Sequence, residues 1–337
     1  MRDMESWFGR FHEAEAVYRE AIRRRDGWAK AHWNLAVLLL GRGRWTEGFA
    51  EFQWRLKHFP LPGIATARPA WDGAPVLDRH LLLWAEQGAG DAIQFLRFVP
   101  MAARRAGRIT LCLHKGLVGL GRQVEGVARV VAFGEPLDDV DVQAPLMSLP
   151  HLLGATTPSM FWTGPYLSAP GGPMEKTDAG PLRVGLVWSG NPDFVDNARR
   201  ACPPRALVPL TEVPGAEFYS LQKGAAAEAA GRDAFGRKMI DLAPRLRDFA
   251  DTARAIFGLD LVIGTDTAVP HLAAAMGTPV WLMLHHAPDW RWQSAGDQSV
   301  WYPDMRLFRQ QRPGDWETVV RRIQQGLLHR CKEKIPS

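Results

Sequence analysis

Three short strings in this 337-residue chain combine carboxylate, hydroxyl, imidazole and glycine at spacings that can do chemistry. The first is Trp84-Ala-Glu-Gln-Gly-Ala-Gly-Asp91-Ala-Ile-Gln-Phe, a strand-like run, a glycine turn and a helical stretch. A dinucleotide fingerprint fails here, because in Gly88-x-Gly90-x-x-Ile93 the third glycine is missing. Asp91 also stands at the helix start, where a pyrophosphate would compete with it for the same N–H donors. Two readings of Asp91 remain. It is a helix cap, the commonest use of Asp at such a place. Or it is a carboxylate kept ionised by the helix dipole and serving as a general base, with the glycines leaving room for substrate.

The second string is Leu259-Asp-Leu-Val-Ile-Gly264-Thr265-Asp266-Thr267-Ala-Val-Pro270-His271-Leu-Ala-Ala-Ala-Met-Gly277-Thr-Pro279-Val. A buried strand leads into short hydroxyl and carboxylate side chains, then a helix. Helix N–H groups with the Thr265 and Thr267 hydroxyls suit a diphosphate. Asp266 reads as a ligand of sugar hydroxyls or as a cap. His271 reads as a phosphate donor or as a satisfied, half-buried histidine. A third group is weaker: Val184-Gly-Leu-Val-Trp188-Ser189-Gly190-Asn191, a loop with Asn197, Arg199 and Arg200, and Ser220-Leu-Gln222-Lys223-Gly224. Lys223 and one arginine are candidates to neutralise phosphate, against the alternative of solvated loop cations.

Other strings carry less. Asp139-x-Asp141 has the form of a metal-binding DxD, but no further carboxylate joins it. Ser189 lacks the first glycine of a GxSxG elbow, and His285-His286 has no HExxH context. Pro288-Asp-Trp-Arg-Trp292 and Trp301-Tyr-Pro are aromatic clusters that wall a ligand or pack a core.

At the level of composition, 46% hydrophobic and 23% charged residues exclude wholesale disorder. A net charge of +5 without a long basic run suits an anionic small ligand better than duplex nucleic acid. Cys112, Cys202 and Cys331 are too scattered for a disulfide framework or a zinc site. The longest apolar run, Leu35 to Leu40, is far short of a membrane span, and the first residues lack a signal-peptide core. The expected location is the cytoplasm.

The first 60 residues repeat: Gly9, Phe11, Glu13, Ala14, Tyr18, Ile22 and Asp26 return 34 residues later as Gly43, Trp45, Glu47, Gly48, Phe52, Leu56 and Pro60. This period resembles the tetratricopeptide repeat. About one and a half units cannot stand alone, so the segment must dock on the rest of the chain or be the remnant of a longer array. Pro60-Leu-Pro-Gly breaks the helix. Strand and helix signals then alternate: strands at 81–84, 109–113, 127–133 and 140–144, with a helix over 91–106. After the Pro- and Gly-rich stretch 168–181 they resume, with strands at 184–188, 218–221, 259–263 and 279–284 and helices at 249–258, 268–276 and 316–328. Such alternation predicts parallel sheets wrapped by helices, in two lobes with a cleft at their carboxyl ends. The expected division is a helical segment 1–60, a linker 61–75, a first lobe 76–170, a linker 171–181 and a second lobe 182–330.

On the Gly-x-Gly-Asp turn and the Asp-Thr-x-x-x-His-Leu-Ala-Ala-Ala-x-Gly-x-Pro string, residues 76–330 resemble the heptosyltransferase-type glycosyltransferases, family 9 and its relatives. The resemblance implies a GT-B fold, two Rossmann-like lobes facing a cleft. It implies an inverting, metal-independent transfer of sugar from a nucleoside-diphosphate donor, needing no cofactor. Asp91 is then the catalytic base, and Gln87, Gly88, Gly90 and Gln94 lie on the acceptor side. Ser189, Gly190, Asn191, Arg199, Gln222, Lys223, Thr265, Asp266, Thr267 and His271 lie on the donor side. The Asn197–Arg200 loop departs from the phosphate loop of heptosyltransferases, so ADP-heptose is not carried over. A repeat segment of this type accompanies bacterial transferases that modify proteins, flagellin among them. The expected partners are therefore a nucleotide-sugar and a protein or surface-glycan acceptor, recruited through the helical repeat. The alternative is a non-catalytic interaction protein that retains a GT-B-like scaffold.

Overall fold

Strand β1 (Val76–Trp84) is buried on both faces from Leu81 to Trp84. An unbroken apolar run of this kind marks a central strand of a parallel sheet covered on two sides. The computed structural model describes residues 10–60, 63, 68–137, 139–171, 180–231 and 235–334. In it β1 pairs in parallel with β2 (Ala106–Leu113) on one side and β4 (Val142–Pro145) on the other. With β3 (Arg129–Ala132) outside β2, the order is β3-β2-β1-β4. The second sheet is also parallel throughout. It consists of β5 (Leu182–Val187), β6 (Ala216–Ser220), β7 (Ile240–Asp241), β8 (Leu261–Thr265), β9 (Val280–Leu284) and β10 (Met305–Arg309) in the order β10-β9-β8-β5-β6-β7.

Strand order reverses at β1/β4 in the first sheet and at β5/β8 in the second. At such switch points the connections leave in opposite directions and open a crevice beyond the strands' carboxyl ends. The turn after β1 carries Gly88, Gly90 and Asp91, and the loop after β8 carries Asp266 and Thr267. Topology thus sets both sequence motifs at crevice positions.

The expected helix over 91–106 is broken. A helix spans Ala89–Phe95, a tighter turn follows at Leu96–Phe98, and a further helical turn covers Val99–Ala103. Pro100 has no N–H to donate, and Ala106 already belongs to β2. The edge strands β7 and β10 were not foreseen. Gly9 of the repeat and most of the second linker lie outside the described residues.

Among the described residues, the helices α1 (Phe11–Arg24), α2 (Ala29–Gly41) and α3 (Trp45–Phe52) precede the sheets, followed by one turn at Arg55–His58. The helix beginning at Ala89 is α4, and α5 (Phe249–Phe257), α6 (Ala268–Ala275) and α7 (Trp316–Lys334) belong to the second lobe. At Gly48 a Cβ would lie 2.8 Å from Leu40 Cδ2, so only glycine lets α2 and α3 cross this closely.

The helices dock on both lobes. Fully buried Phe49 meets Trp290 and Trp301 edge-on at 6.2 and 6.5 Å, and Trp45 meets Trp301 at 5.6 Å. Arg55, also buried, pairs with Glu86 in the first-lobe turn and donates to Ser148 Oγ at 2.9 Å. One apolar cluster therefore runs through the helices and both lobes. Phe49→Ala is expected to cost the whole body about 3–5 kcal/mol, read as one coincident shift of urea transitions by circular dichroism and tryptophan fluorescence. A loss below about 1 kcal/mol would make the helices a mere appendage.

Candidate functional site

The turn after β1 is tightly constrained. Gln87 adopts φ 57°, left-handed for a non-glycine residue, at a cost on the order of 1 kcal/mol. The Gly88 N–H then donates to Asp91 Oδ2 at 2.8 Å, so the carboxylate does cap α4. Its other oxygen, Oδ1, accepts from Arg291 Nη2 at 2.5 Å, across from the second lobe. Gly90 sits against the start of α6: a Cβ there would be 3.2 Å from the His271 ring and 3.5 Å from Ala268 Cα. The two motifs therefore touch, and where an open gap was expected between them a guanidinium fills the junction.

On the facing side, Thr267 precedes α6 in extended conformation and donates to the Thr265 carbonyl at 3.2 Å. The Thr265 hydroxyl is buried and makes no hydrogen bond. His271 is buried, with Nδ1 2.9 Å from the Tyr302 hydroxyl and Nε2 3.8 Å from Asp266 Oδ1. Asp266 and Asp289 are enclosed by protein yet keep 18% and 35% of their side-chain surface open, as groups lining a crevice do. Burial alone would raise the Asp266 carboxyl, but His271, the Trp292 indole and Arg200 together hold it below the usual range. Asp289 is pushed up, by burial and by repulsion from Asp266, with Arg291 opposing. Burial disfavours the Arg291 charge, and the carboxylates of Asp289 and Asp91 more than restore it.

Proton accounting assigns the His271 tautomer. Tyr166 spends its single proton on the Ile93 carbonyl at 3.1 Å and accepts from Arg97 at 3.1 Å. Burial holds the Tyr302 phenol well above its ordinary range, so it stays a neutral donor. It lies 2.9 Å from His271 Nδ1 and 3.3 Å from the Tyr166 oxygen. Donation to Nδ1 leaves the imidazole proton on Nε2, facing Asp266. The opposite tautomer would set a lone pair against a carboxylate.

The third group is largely architectural. Gln222 Oε1 accepts from the backbone N–H groups of Trp188 (3.0 Å) and Ser189 (2.9 Å), pinning the end of β5. Asn197 bonds Gly190 N at 2.9 Å and Ser189 Oγ at 3.2 Å, and Asn191 accepts from Asp193 N at 3.1 Å. Lys223 Nζ is drawn to the carbonyls of Leu246 and Arg247. Arg199 pairs with the buried Asp196 at 3.5 Å, whereas Arg200 bonds Asn197 at 3.4 Å and its charge helps lower the Asp266 carboxyl. Gln94, expected on the acceptor side, is fully buried, and its Oε1 accepts from Arg291 Nε at 2.5 Å.

Sequence reasoning missed Arg291, Asp289 and Tyr302 as site residues. All three lie in strings read as aromatic walls, and the Asp-x-Arg spacing at 289 and 291 was their one local signal. Asp141 and Asp139 merely fasten His80, through its N–H and its Nδ1. Among the described residues no group of three or more His, Cys, Asp or Glu is placed to hold a metal ion, and no helix is long and apolar enough to cross a membrane.

Comparisons with known proteins fit this arrangement. Residues 219–288 match Glycosyltransferase family 9 (heptosyltransferase), a stretch holding Asp266, Thr267 and His271 but neither Asp91 nor Arg291. Protein FlbA of Caulobacter vibrioides is 27% identical over 87% of this chain, which spans about half (54%) of that protein's length. The fold is similar to the family 9 glycosyltransferase of Veillonella parvula (TM-score 0.53, 11% identity, 77% of this chain and 99% of that one). It is likewise similar to E. coli ADP-heptose LPS heptosyltransferase II (TM-score 0.50, 11% identity, 75% of this chain and 99% of that one). The family match supports an enzyme of the glycosyltransferase class, and both structures support a GT-B-like fold.

Tyr302→Phe is expected to cost about 1–3 kcal/mol in urea denaturation, since it strands a buried imidazole nitrogen. Nitrogen-15 shifts of His271 should report the Nε2–H tautomer in the parent protein. An Nδ1–H signature there would refute the assignment.

Proposed function

We propose that the chain is a glycosyltransferase that moves a sugar from a nucleoside-diphosphate donor to an acceptor hydroxyl. One observation carries the reading: the Asp91 turn and the start of α6, each at a switch point of its sheet, meet face to face. Asp91 takes the proton of the acceptor hydroxyl as its oxygen attacks the anomeric carbon. The bond from that carbon to the diphosphate oxygen breaks on the opposite face, which inverts the centre. The leaving diphosphate is received by the Thr265 and Thr267 hydroxyls, the first N–H groups of α6 and nearby guanidinium groups. These amide and cationic groups stabilise the developing charge in the place a metal takes in other transferases. Asp266, held ionised, is suited to accept hydrogen bonds from sugar hydroxyls.

The acceptor we favour is a protein, flagellin among the candidates, with a surface glycan as the other option. Support comes from the 34-residue period of the helical segment, read as a tetratricopeptide-like element that recruits the acceptor. With linkers at 61–75 and 171–181, we assign the acceptor to the first lobe (76–170) and the donor to the second (182–330).

Asp91→Asn is expected to lower turnover about 10²–10⁴-fold, the usual worth of a general base, while a nucleoside diphosphate still raises the melting temperature. Asp266→Ala should weaken nucleotide-sugar binding about tenfold by calorimetry, or ~1.4 kcal/mol. If Asp91→Asn turns over within twofold of the parent, the base assignment is wrong. If none of ADP, GDP, UDP and their sugars shifts the melting temperature, the non-catalytic scaffold reading takes over.

A further inference from the structure

Arg291 has every guanidinium nitrogen engaged. Nη2 donates to Asp91 Oδ1 (2.5 Å), Nη1 to Asp289 Oδ1 (2.8 Å) and Nε to Gln94 Oε1 (2.5 Å), while the group lies over the Trp290 ring at 4.4 Å. Only 6% of its side chain is exposed, against 21% for Asp91. Since the second oxygen of Asp91 takes the Gly88 N–H, each oxygen of the carboxylate assigned as base already accepts one hydrogen bond.

The facing anion cradle is short of positive charge. Lys223 is drawn to backbone carbonyls, and Arg199 pairs with the buried Asp196. Arg200 lies over the Phe194 ring at 4.4 Å with Nε 3.4 Å from Asn197 Oδ1, and its charge is partly offset by Asp266, itself an anion within the cradle. The Thr265 hydroxyl, at the end of β8, is buried with no hydrogen-bond partner. A diphosphate entering here brings at least two negative charges to a place already lined by Asp266 and Asp289. Arg291 is a buried cation that pairs with Asp91 and also feels the charge of Asp266.

We propose that Arg291 is shared between two anions in turn. In the unliganded protein it masks Asp91, and the donor's diphosphate draws the guanidinium off Asp91 Oδ1, freeing the base only once the donor is seated. The inference rests on the glycosyltransferase reading and adds an order to it: donor first, then activation of the acceptor. No large backbone motion is required, because Trp290 is anchored against Phe49 and Phe52 and Asp289 holds the Arg291 backbone N–H at 3.1 Å. Exchange of one partner by side-chain rotation suffices.

The test is a calorimetric double-mutant cycle on the full chain, titrating ADP, GDP and UDP. Asp91→Asn keeps the shape and removes the competitor for the guanidinium. The diphosphate that binds the parent protein should bind this variant about tenfold tighter, as expected when a charged hydrogen bond no longer has to be broken. In the Arg291→Gln background the same substitution should change Kd less than twofold. Should Arg291→Gln not fold, Arg291→Lys serves: an ammonium cannot span Asp91 and Asp289 together, and the gain should shrink below threefold. Unchanged or weaker binding by Asp91→Asn overturns the exchange. An equal gain in both backgrounds also overturns it, since Asp91 would then be repelling the diphosphate directly. In either case the glycosyltransferase reading stands. If no diphosphate binds the parent protein, both fall.

Discussion

A guanidinium buried between two lobes must be fully partnered, and much of the site derives from that constraint. Stripped of one carboxylate, a buried pair of this kind leaves an uncompensated charge costing roughly 3–5 kcal/mol. The chain meets the demand from three directions. Asp91 comes from the first glycine turn, Asp289 from two residues upstream, and Gln94 from the inner face of α4. Each acts at a distinct nitrogen of the planar group, a geometry lysine cannot reproduce. The turn after β1 and the loop after β9 are consequently held at one separation.

The helical segment secures the same two loops from outside. Arg55 fixes the first-lobe turn through Glu86, and its neighbour Gln53 accepts from Ser148 at 2.6 Å. Phe49 and Phe52 seat Trp290, next in sequence to Arg291. The end of α2 lies against that loop, where a Cβ at Gly41 would be in ordinary contact with Trp290 Cα at 3.7 Å, and Gly43, at φ 74°, turns the chain beside Gln293. An isolated pair of short helices is marginal in water, so these helices gain their stability from the faces they share with the lobes. That dependence ties the element proposed to meet the acceptor to the loop that carries the guanidinium.

Legibility in the sequence tracked local constraint. Apolar runs ending in glycine turns located β1, β5 and β8 within a few residues, because a strand buried on both faces and a close backbone approach each leave a strong compositional mark. The helix after Gly90 was overdrawn, since Pro100 was not weighed as a breaker. Asp91 had two readings, cap and base, and the structure shows the cap realised with a second bond added across the interface. Gln222 and Lys223 sit beside the donor motif in sequence order, yet their polar atoms serve backbone groups of their own lobe. Arg291 escaped notice because its decisive partner is 200 residues away, and the tryptophans on either side of it looked like packing alone.

The same distance in sequence gives the contact its meaning. A bond between residues 91 and 291 forms only when the two lobes are in register, so the environment of Asp91 reports how the lobes sit. Within a single lobe the capping bond from Gly88 would hold the carboxylate whatever the other lobe did. Across lobes, a displacement of about 1 Å beyond hydrogen-bond length already weakens the ion pair. Asp266 and Asp289 sharpen this dependence. Burial and the charges around them set one below and the other above the ordinary carboxylate range, and Arg291 acts on both. Any ligand that adds negative charge at the start of α6 must therefore rearrange the partners of that one cation. The charge balance of the donor side and the freedom of the acid on the acceptor side are thus a single electrostatic problem, solved by one side chain.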